Sequence, residues 1–231
     1  MTTKRAAIFD VDGTLVDSNH LHVVTWWEAF RQAARHVPMR EIHRAVGLGS
    51  GDLIEHLLGD DRDPDGDEQL TAAYHVLYAT YFERLPALEE AGDLLRALAG
   101  RGREIVLATS ASGPELSALR GAIDADDVIL GAASADDVDD GKHAPDPVRQ
   151  ARELAGVPCG RAVFVGDTVW DMKAAVRDGA VAVLSGGIPR ADLEAAGARA
   201  VYRAPADLLR HLDASVFADR ESAGETAVPS R

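Results

Sequence analysis

Short runs of apolar residues recur along the chain, and helical patterns fill most of the gaps between them. The runs typical of buried strands are residues 6–10, 104–108, 127–130, 162–166, 181–184 and 199–202. Apolar residues recur at helical spacing over residues 87–100, 114–122, 145–156, 171–178 and 190–197. Nearly continuous apolar strands that alternate with helices predict an α/β fold with a doubly wound, Rossmann-like parallel sheet.

The chain that follows the first strand has a different pattern. Residues 19–36 and 70–85 carry apolar side chains at helical spacing, and no convincing strand lies between them. A structureless loop of this length is unusual inside a compact domain. We therefore predict that residues 17–85 form an inserted helical cap, with hinges near 15–18 and 84–87.

This insertion defines the predicted domain organisation. The core comprises residues 1–16 and 86–213. The cap would lie over the carboxyl ends of the strands, where the ligand sites of such sheets form. Residues 214–231 are mostly polar with little periodicity, so we predict a disordered tail.

Composition and length are those of an ordinary soluble globular protein. The 231 residues are 46% hydrophobic and 27% charged, and no apolar run approaches the roughly 20 residues that a membrane span needs. No long apolar stretch follows the first basic residues, so neither a signal peptide nor a membrane partner is predicted. Cys159 is the single cysteine, which excludes an internal disulfide and is typical of a reducing cytoplasm.

Charge narrows the range of partners. The net charge of −14 leaves no basic stripe to displace the counterions of a nucleic acid, so nucleic acid is not a predicted partner. A small phosphorylated metabolite remains compatible, because a local metal and one or two cations can hold it. Lysine is scarce, with only Lys4, Lys142 and Lys173.

The first strand ends in two carboxylates. Asp10 and Asp12 follow a short apolar stretch, and Gly13 and Thr14 come next. Residues i and i+2 of an extended strand point to the same side, so both carboxylates are predicted to meet at the strand tip. One carboxylate can act as nucleophile and the other as acid and base when their environments differ, and a divalent cation can create that difference. The arrangement suggests Mg²⁺-assisted chemistry on a phosphate, by way of an aspartyl intermediate.

Three further stretches place polar groups where such a site would need them. Ser110 ends an apolar strand, and a hydroxyl with backbone N–H groups at a helix start suits a phosphoryl oxygen. Lys142 follows a glycine turn ahead of a helix that begins with proline. Asp167 ends another strand, and Asp171 would share its helix face four residues later. Together with Asp10 these carboxylates would form an oxygen-rich pocket of the kind that Mg²⁺ prefers.

Four ordered motifs give the chain a family resemblance. They are DxDGT at residues 10–14, a strand-end serine at 110, GK-x-x-PD at 141–146 and GDT-x-x-D at 166–171. Over roughly residues 5–212 they resemble the haloacid dehalogenase-like hydrolase superfamily, in its phosphatase branch with a helical cap after the first strand. The resemblance implies a Rossmann-like core, a Mg²⁺ cofactor and hydrolysis of a phosphomonoester.

The resemblance also implies a role for each matching residue. Asp10 would be the nucleophile that takes the phosphoryl group. Asp12 would protonate the leaving alcohol and then activate water to hydrolyse the aspartyl-phosphate. Ser110 would bind the phosphoryl group, while Lys142 would neutralise the charge of nucleophile and phosphate.

A magnesium site follows from the same resemblance. Asp10, Asp167 and the backbone carbonyl of Asp12 would coordinate the ion. Asp171 would orient metal-bound water without binding the metal itself. A phosphoryl transition state spreads charge over its oxygens, so catalysis would depend on positioning and cationic stabilisation.

Other reactions of the superfamily fit these residues less well. The dehalogenases resemble DxYGT at the first motif and need no metal, whereas this chain has Asp12 at the variable position. The phosphonate-cleaving members form a Schiff base through a cap lysine, but residues 17–85 contain no lysine. Phosphoryl chemistry is therefore favoured.

A sugar-phosphate mutase similar to β-phosphoglucomutase is the alternative. The stretch with Ser18, His22 and Trp26 resembles the first cap helix of these mutases, although packing at the hinge also explains the histidine and the tryptophan. Such mutases hold the far phosphate with a cap arginine and a cap lysine, whereas the matching stretch 46–52 has neither. This difference favours a phosphatase, with Ser18 and His22 as candidate substrate or cap contacts.

The sequence alone identifies neither the substrate nor the oligomeric state. The glycine-rich run 47–51 offers few side chains for recognition, so phosphoglycolate, a sugar phosphate and a nucleotide monophosphate all remain candidates. A cap that opens and closes fits a monomer or a loose dimer. The acidic run 61–66 resembles half of a calcium-binding loop, but Ala72 replaces the required glutamate and Pro64 interrupts the run, so a solvated loop is predicted.

Overall fold

The apolar runs form six strands of one parallel sheet. They are β1 (Arg5–Phe9), β2 (Arg103–Ala108), β3 (Ile129–Ala133), β4 (Ala162–Gly166), β5 (Ala180–Val183) and β6 (Ala198–Tyr202). The order in space is β3-β2-β1-β4-β5-β6, and each neighbouring pair is parallel. This order confirms the predicted doubly wound sheet. Successive strands are added on one side of β1 up to β3 and on the other side from β4 onward, so the strand order reverses between β1 and β4. The computed structural model describes residues 4–111, 113–133 and 147–218.

Alternate residues of each strand face opposite sides of the sheet. On β1, Ala7 and Phe9 belong to one buried cluster, and Ala6 and Ile8 belong to another. The first face is covered by α5 (Ala91–Gly100), α6 (Gly113–Ile123) and α10 (Pro205–Arg210). The second face is covered by α7 (Pro147–Ala155), α8 (Val169–Ala174) and α9 (Arg190–Ala195). Burial on both faces explains why the strands are nearly continuous apolar runs in the sequence.

Four helices lie between β1 and α5. They are α1 (Asn19–Gln32), α2 (Met39–Ala45), α3 (Ser50–Leu58) and α4 (Asp67–Ala79). Helices α1 and α3 each pack against α2 and α4. Helix α1 ends at Gln32, earlier than predicted, because Ala34 takes a left-handed φ of 56°. Within the described parts of the chain, no helix combines the length and the apolar character needed to cross a lipid bilayer.

The two chain segments that connect these four helices to the sheet lie side by side. Asp17 N donates to Pro86 O over 2.9 Å, and Leu88 N donates to Leu15 O over 2.8 Å. Both segments coincide with the predicted hinges. Backbone hydrogen bonds therefore join the two connections between these helices and the sheet.

Residues that pack against the core continue past its predicted boundary at residue 213. Phe217 is fully buried, and its carbonyl accepts a hydrogen bond from Arg103 Nη2 over 3.1 Å. The Arg103 guanidinium also lies 5.7 Å from the centroid of the Phe217 ring. The predicted start of the tail at residue 214 is therefore too early, because this aromatic side chain anchors the chain beside β2. Residues 219–231 lie outside the described ranges.

Candidate active site

The end of β1 places Asp10 and Asp12 beside the neighbouring strand. Asp10 N donates to Val165 O over 2.9 Å, which continues the pairing of β1 with β4 by one residue. The chain then turns at Gly13, whose φ of 76° is one that a side chain disfavours. Asp10 and Asp12 line the same cavity, so both residues lie on one side of the strand tip.

Three carboxylates come together at the ends of β1 and β4. Ligand atoms of Asp10, Asp167 and Asp171 all lie within 4.8 Å of one another. The Thr14 hydroxyl lies 2.9 Å from Asp10 Oδ2 and 3.0 Å from Asp167 Oδ1, and its single proton can serve only one of them at a time. No basic side chain of the described residues forms a salt bridge with any of the three carboxylates.

Crowded negative charge raises the pKa values of this cluster. Desolvation, followed by the charges of Asp171, Asp167 and Asp12, holds the pKa of Asp10 well above its usual range. Desolvation and the charge of Asp171 raise the pKa of Asp167 to about 7. A divalent cation would relieve this repulsion, and carboxylate oxygens are the donors that a hard cation such as Mg²⁺ prefers.

Asp171 also caps the helix that follows β4. Its Oδ2 accepts hydrogen bonds from Thr168 N over 2.9 Å and from Asp167 N over 3.2 Å. In return, Thr168 Oγ1 accepts one from Asp171 N over 3.2 Å. This capping box fixes the turn that carries Asp167. One oxygen of Asp171 is therefore committed to the backbone.

Asp12 has surroundings of the opposite kind. Its Oδ1 accepts a hydrogen bond from Ser18 Oγ over 2.5 Å and lies 2.9 Å from His22 Nε2. On the other side of the imidazole, His22 Nδ1 lies 2.8 Å from the Tyr74 hydroxyl. Desolvation opposes the ionisation of Asp12, but the charge and hydrogen bond of His22 outweigh it and lower the pKa of Asp12. Desolvation likewise opposes the charged form of His22, yet Asp12 raises the pKa of His22 above its ordinary value.

These surroundings separate the two carboxylates at the end of β1. Asp10 lies among negative charges, whereas Asp12 is paired with His22. Two carboxylates whose environments differ in this way can take different chemical roles. Ser18 and His22, predicted as possible substrate or cap contacts, both contact Asp12, and His22 also lines the cavity.

The predicted phosphate-binding residues are only partly described. Ser110 follows β2, is exposed and lines the same cavity as the strand-end carboxylates. Its neighbours are fixed, because Thr109 N donates to Ala133 O over 3.1 Å and Thr109 Oγ1 accepts from Ala111 N over 3.1 Å. Lys142 lies outside the described residues.

The cavity has a volume of about 390 Å³ and lies between the strand ends and the four helices after β1. On the helical side, its wall is largely apolar and aromatic and includes Trp26, Leu48, Leu53 and Tyr74. A wall of this kind limits the access of water to the carboxylates. A small ligand could therefore be held between the helices and the strand ends.

Asn19 is a site residue that the sequence did not identify. It is buried at the start of α1, and its Nδ2 donates to Asp167 Oδ2 over 2.7 Å. Asn19 Oδ1 has no hydrogen-bond partner among the described residues. An asparagine at a helix start is usually a cap, which is why its sequence position carried no functional signal.

Two contacts that the sequence did not predict join α2 to the sheet-bearing part of the chain. Trp170 Nε1 donates to Arg44 O over 3.0 Å, and His43 Nε2 lies 2.8 Å from Gly186 O. The His56 ring also meets the Trp170 ring edge-on, with centroids 5.5 Å apart. These contacts fix the helical wall of the cavity close to the carboxylate cluster.

The loop after β5 approaches Asp167 closely only because residue 186 is glycine. A Cβ at this position would overlap the Asp167 carboxylate. We expect Gly186→Ala to lower the free energy of unfolding by about 2 kcal/mol, a typical cost of overpacking, and to weaken Mg²⁺ binding. Thermal unfolding with and without Mg²⁺ measures both effects. Gly100→Ala is the matched control, because a Cβ there meets no atom within 4 Å, and equal losses in the two variants would contradict the packing argument.

Comparisons with known proteins agree with this arrangement. The family model for haloacid dehalogenase-like hydrolases matches residues 4–179. A phosphoglycolate phosphatase of Neisseria gonorrhoeae is 30% identical over 191 residues, which cover 78% of each chain. A phosphoglycolate phosphatase of Rhodospirillum rubrum is 31% identical over 213 residues, or 86% of each chain. The crystal structure of a hydrolase from Pseudomonas syringae is 34% identical and superimposes with a TM-score of 0.84, covering 91% of this chain and 99% of its own. The chain therefore belongs to the haloacid dehalogenase-like hydrolases and is an enzyme of their phosphatase branch.

Proposed function

We propose that this phosphatase is a Mg²⁺-dependent phosphomonoester hydrolase that acts on a small phosphorylated metabolite through an aspartyl-phosphate intermediate. The proposal rests mainly on the different surroundings of the two carboxylates at the end of β1. Asp10 lies in a cluster of carboxylates, and Asp12, two residues later, is paired with His22. The similarity to two phosphoglycolate phosphatases supports a phosphomonoester as the substrate class.

Asp10 is the proposed nucleophile. The Thr14 hydroxyl lies 2.9 Å from Asp10 Oδ2 and holds the carboxylate at the edge of the cavity. A carboxylate oxygen of Asp10 attacks phosphorus while the bond from phosphorus to the leaving oxygen breaks. The phosphoryl group is then bound to Asp10, and the leaving alcohol oxygen takes a proton.

Asp12 and His22 hold the proton that the reaction moves. In the first step Asp12 delivers it to the leaving oxygen. In the second step Asp12 takes a proton from the water that attacks the aspartyl-phosphate, which releases inorganic phosphate and regenerates Asp10. The 2.9 Å separation of His22 Nε2 and Asp12 Oδ1 allows one proton to be shared between them throughout.

The metal would be held by Asp10, Asp167 and the backbone carbonyl of Asp12. The fit rests on the donor set, because these carboxylates are close together and have no described basic partner. When bound, Mg²⁺ would neutralise charge on the carboxylates and on the phosphoryl oxygens. Asp171, whose Oδ2 is committed to the capping box, is proposed to orient metal-bound water.

Ser110 and Lys142 are the proposed phosphoryl ligands. Ser110 lines the cavity at the end of β2, next to the strand that carries Asp10. The role of Lys142 rests on its position in the GK-x-x-PD motif. Both would bind phosphoryl oxygens from the side of the sheet.

We further propose that residues 17–85 act as a cap that closes over the substrate. The contacts of Trp170 with Arg44 and of His43 with Gly186 would hold the closed position. No arginine or lysine of the described residues lines the cavity, which favours hydrolysis over a mutase reaction that must also bind a second phosphate.

Release of inorganic phosphate from a panel of phosphomonoesters, with Mg²⁺ and with EDTA, tests the proposal. We expect release that depends on the metal. The panel includes β-glucose 1-phosphate with its bisphosphate activator. Conversion of that ester to the 6-phosphate, without phosphate release from any ester, would instead establish the mutase and contradict the proposed function.

His22→Gln is expected to lower kcat by about 10- to 100-fold, the loss typical when a residue that supports a catalytic group is removed while the group itself remains. The glutamine cannot share a proton with Asp12, although it preserves much of the packing volume. The inhibition constant of inorganic phosphate should change little, because His22 contacts Asp12 rather than the nucleophile. His20→Gln, on the exposed side of the same helix, is the control. An unchanged kcat in the His22 variant would reduce this residue to a packing role.

A further inference from the structure

The helical wall of the cavity carries one carboxylate that has no salt-bridge partner among the described residues. Asp52 lies in the first turn of α3, is exposed and lines the cavity. Among the described residues, no side chain forms a salt bridge with it. Its carboxylate is therefore available to whatever occupies the cavity.

Basic side chains are missing from the same surface. His22 is the only basic residue on the described wall, and its charge is matched by Asp12 at 2.9 Å. A carboxylate or a second phosphate on the leaving group would meet Asp52 with no described cation to pair it. Placing an unpaired anion in a partly enclosed cavity beside a like charge is unfavourable.

The surface around Asp52 suits a small polar group on an otherwise apolar body. Ser50 adds a hydroxyl to the wall, while Leu48 and Leu53 are apolar. Gly49 also lines the cavity, and a Cβ at this position would meet no protein atom within 4 Å. The space beside Gly49 is therefore open to the leaving group.

We propose that the substrate is a phosphomonoester whose leaving group carries no second anionic group and donates hydrogen bonds, from a hydroxyl or an ammonium group, to Asp52. This inference rests on the proposed function. It separates the chain from the phosphoglycolate phosphatases that it resembles, because the leaving group of phosphoglycolate carries a carboxylate. Asp52 is the specificity-determining residue of this proposal.

Three phosphate esters with two-carbon leaving groups test it, because they differ mainly in charge. They are 2-hydroxyethyl phosphate, phosphoethanolamine and phosphoglycolate. The wild-type protein with Mg²⁺ should have a kcat/KM for phosphoglycolate at least about tenfold below those for the other two, the effect expected of one like charge at partly screened contact distance. Phosphate release from p-nitrophenyl phosphate is measured alongside.

Asp52→Asn should raise kcat/KM for phosphoglycolate about tenfold relative to 2-hydroxyethyl phosphate, and lower it for phosphoethanolamine. Asp60→Asn makes the same charge change just beyond α3, outside the cavity wall, and should leave these ratios unchanged. A wild-type preference for phosphoglycolate, or unchanged ratios in Asp52→Asn, would overturn this inference alone. Absence of phosphate release from all four esters would overturn the proposed function, and this inference with it.

Discussion

Asp10→Asn is expected to abolish phosphate release, with kcat lower by at least about 10³-fold. The amide that replaces the carboxylate has nearly the same shape but is a far weaker nucleophile. It also removes one oxygen anion from the proposed Mg²⁺ ligands. Phosphate release from p-nitrophenyl phosphate under saturating Mg²⁺ measures the loss, and a kcat within tenfold of wild type would contradict the assignment of the nucleophile.

The same variant should be more stable than the wild type when no metal is bound. Desolvation and the neighbouring carboxylates raise the pKa of Asp10 in the folded state. A raised pKa means that its ionised form, which prevails in the unfolded chain at neutral pH, opposes folding. Removing that charge should therefore raise Tm in EDTA at pH 7. A lower Tm would show that the activity loss reflects misfolding rather than chemistry.

Asp17→Asn is the matched control for both measurements. Asp17 belongs to the same loop but is exposed, and its backbone N–H rather than its side chain makes the bond to Pro86. Neither kcat nor Tm should change appreciably. Loss of activity in this control would point to the hinge, not to the charge at residue 10.

Strand ends were the most predictable part of this site. Asp10 and Asp167 each follow a short apolar run, and parallel strands bring their carboxyl ends to one edge of the sheet. The sequence therefore predicts that Asp10 and Asp167 approach each other, although they lie far apart along the chain. The observed cluster of Asp10, Asp167 and Asp171 agrees with that argument.

The two aspartates are 157 residues apart in the sequence, so no local pattern links them. The link comes from the sheet topology alone. Because β1 and β4 are neighbours, Asp10 N bonds to Val165 O and the residues that follow each strand face the same space. The sequence predicts this approach because the order of strands in a doubly wound sheet is strongly constrained.

The contacts of Asp12 could not be predicted in the same way. Ser18 and His22 meet Asp12 because α1 turns back over the strand end, and the angle of that turn depends on packing between α1 and α4. Periodicity identifies the buried face of a helix but not which polar side chain on it reaches a given carboxylate. The sequence therefore left His22 between a packing role and a role at the site.

Single aromatic residues that make long-range contacts could not be identified from the sequence for a related reason. Phe217 is a single aromatic residue in a polar, aperiodic stretch, and its burial depends on the position of Arg103 on a distant strand. Trp170 likewise has no periodic partners, and its bond to Arg44 O arises only when α2 lies beside α8. A periodic pattern reveals positions that repeat, whereas each of these residues makes its contact alone.

Asp167→Asn is expected to remove most of the stabilisation that Mg²⁺ gives and to lower kcat by at least about 100-fold. In the wild-type protein, Mg²⁺ at 100 times its dissociation constant should add about 2.7 kcal/mol, or roughly 5–10 °C in Tm for a chain of this size. The variant lacks one of the proposed anionic ligands, so its Tm should respond weakly. Thermal unfolding in Mg²⁺ and in EDTA at equal ionic strength measures the difference. Asp60→Asn controls for the change in net charge.

The pH dependence of the stabilisation by Mg²⁺ distinguishes binding at Asp167 from nonspecific screening of charge by the salt. Desolvation and the charge of Asp171 raise the pKa of Asp167 to about 7, above the value near 3.9 expected in the unfolded chain. The stability linked to this raised pKa is complete below about pH 4 and is lost as the pH rises to about 7, so the metal-free protein should become less stable over that range. Mg²⁺ competes with the proton for the same carboxylate, and its stabilising effect should therefore be larger at pH 8 than at pH 5. If Mg²⁺ raised Tm equally at both pH values, or raised the Tm of Asp167→Asn as much as that of the wild type, the metal would bind elsewhere.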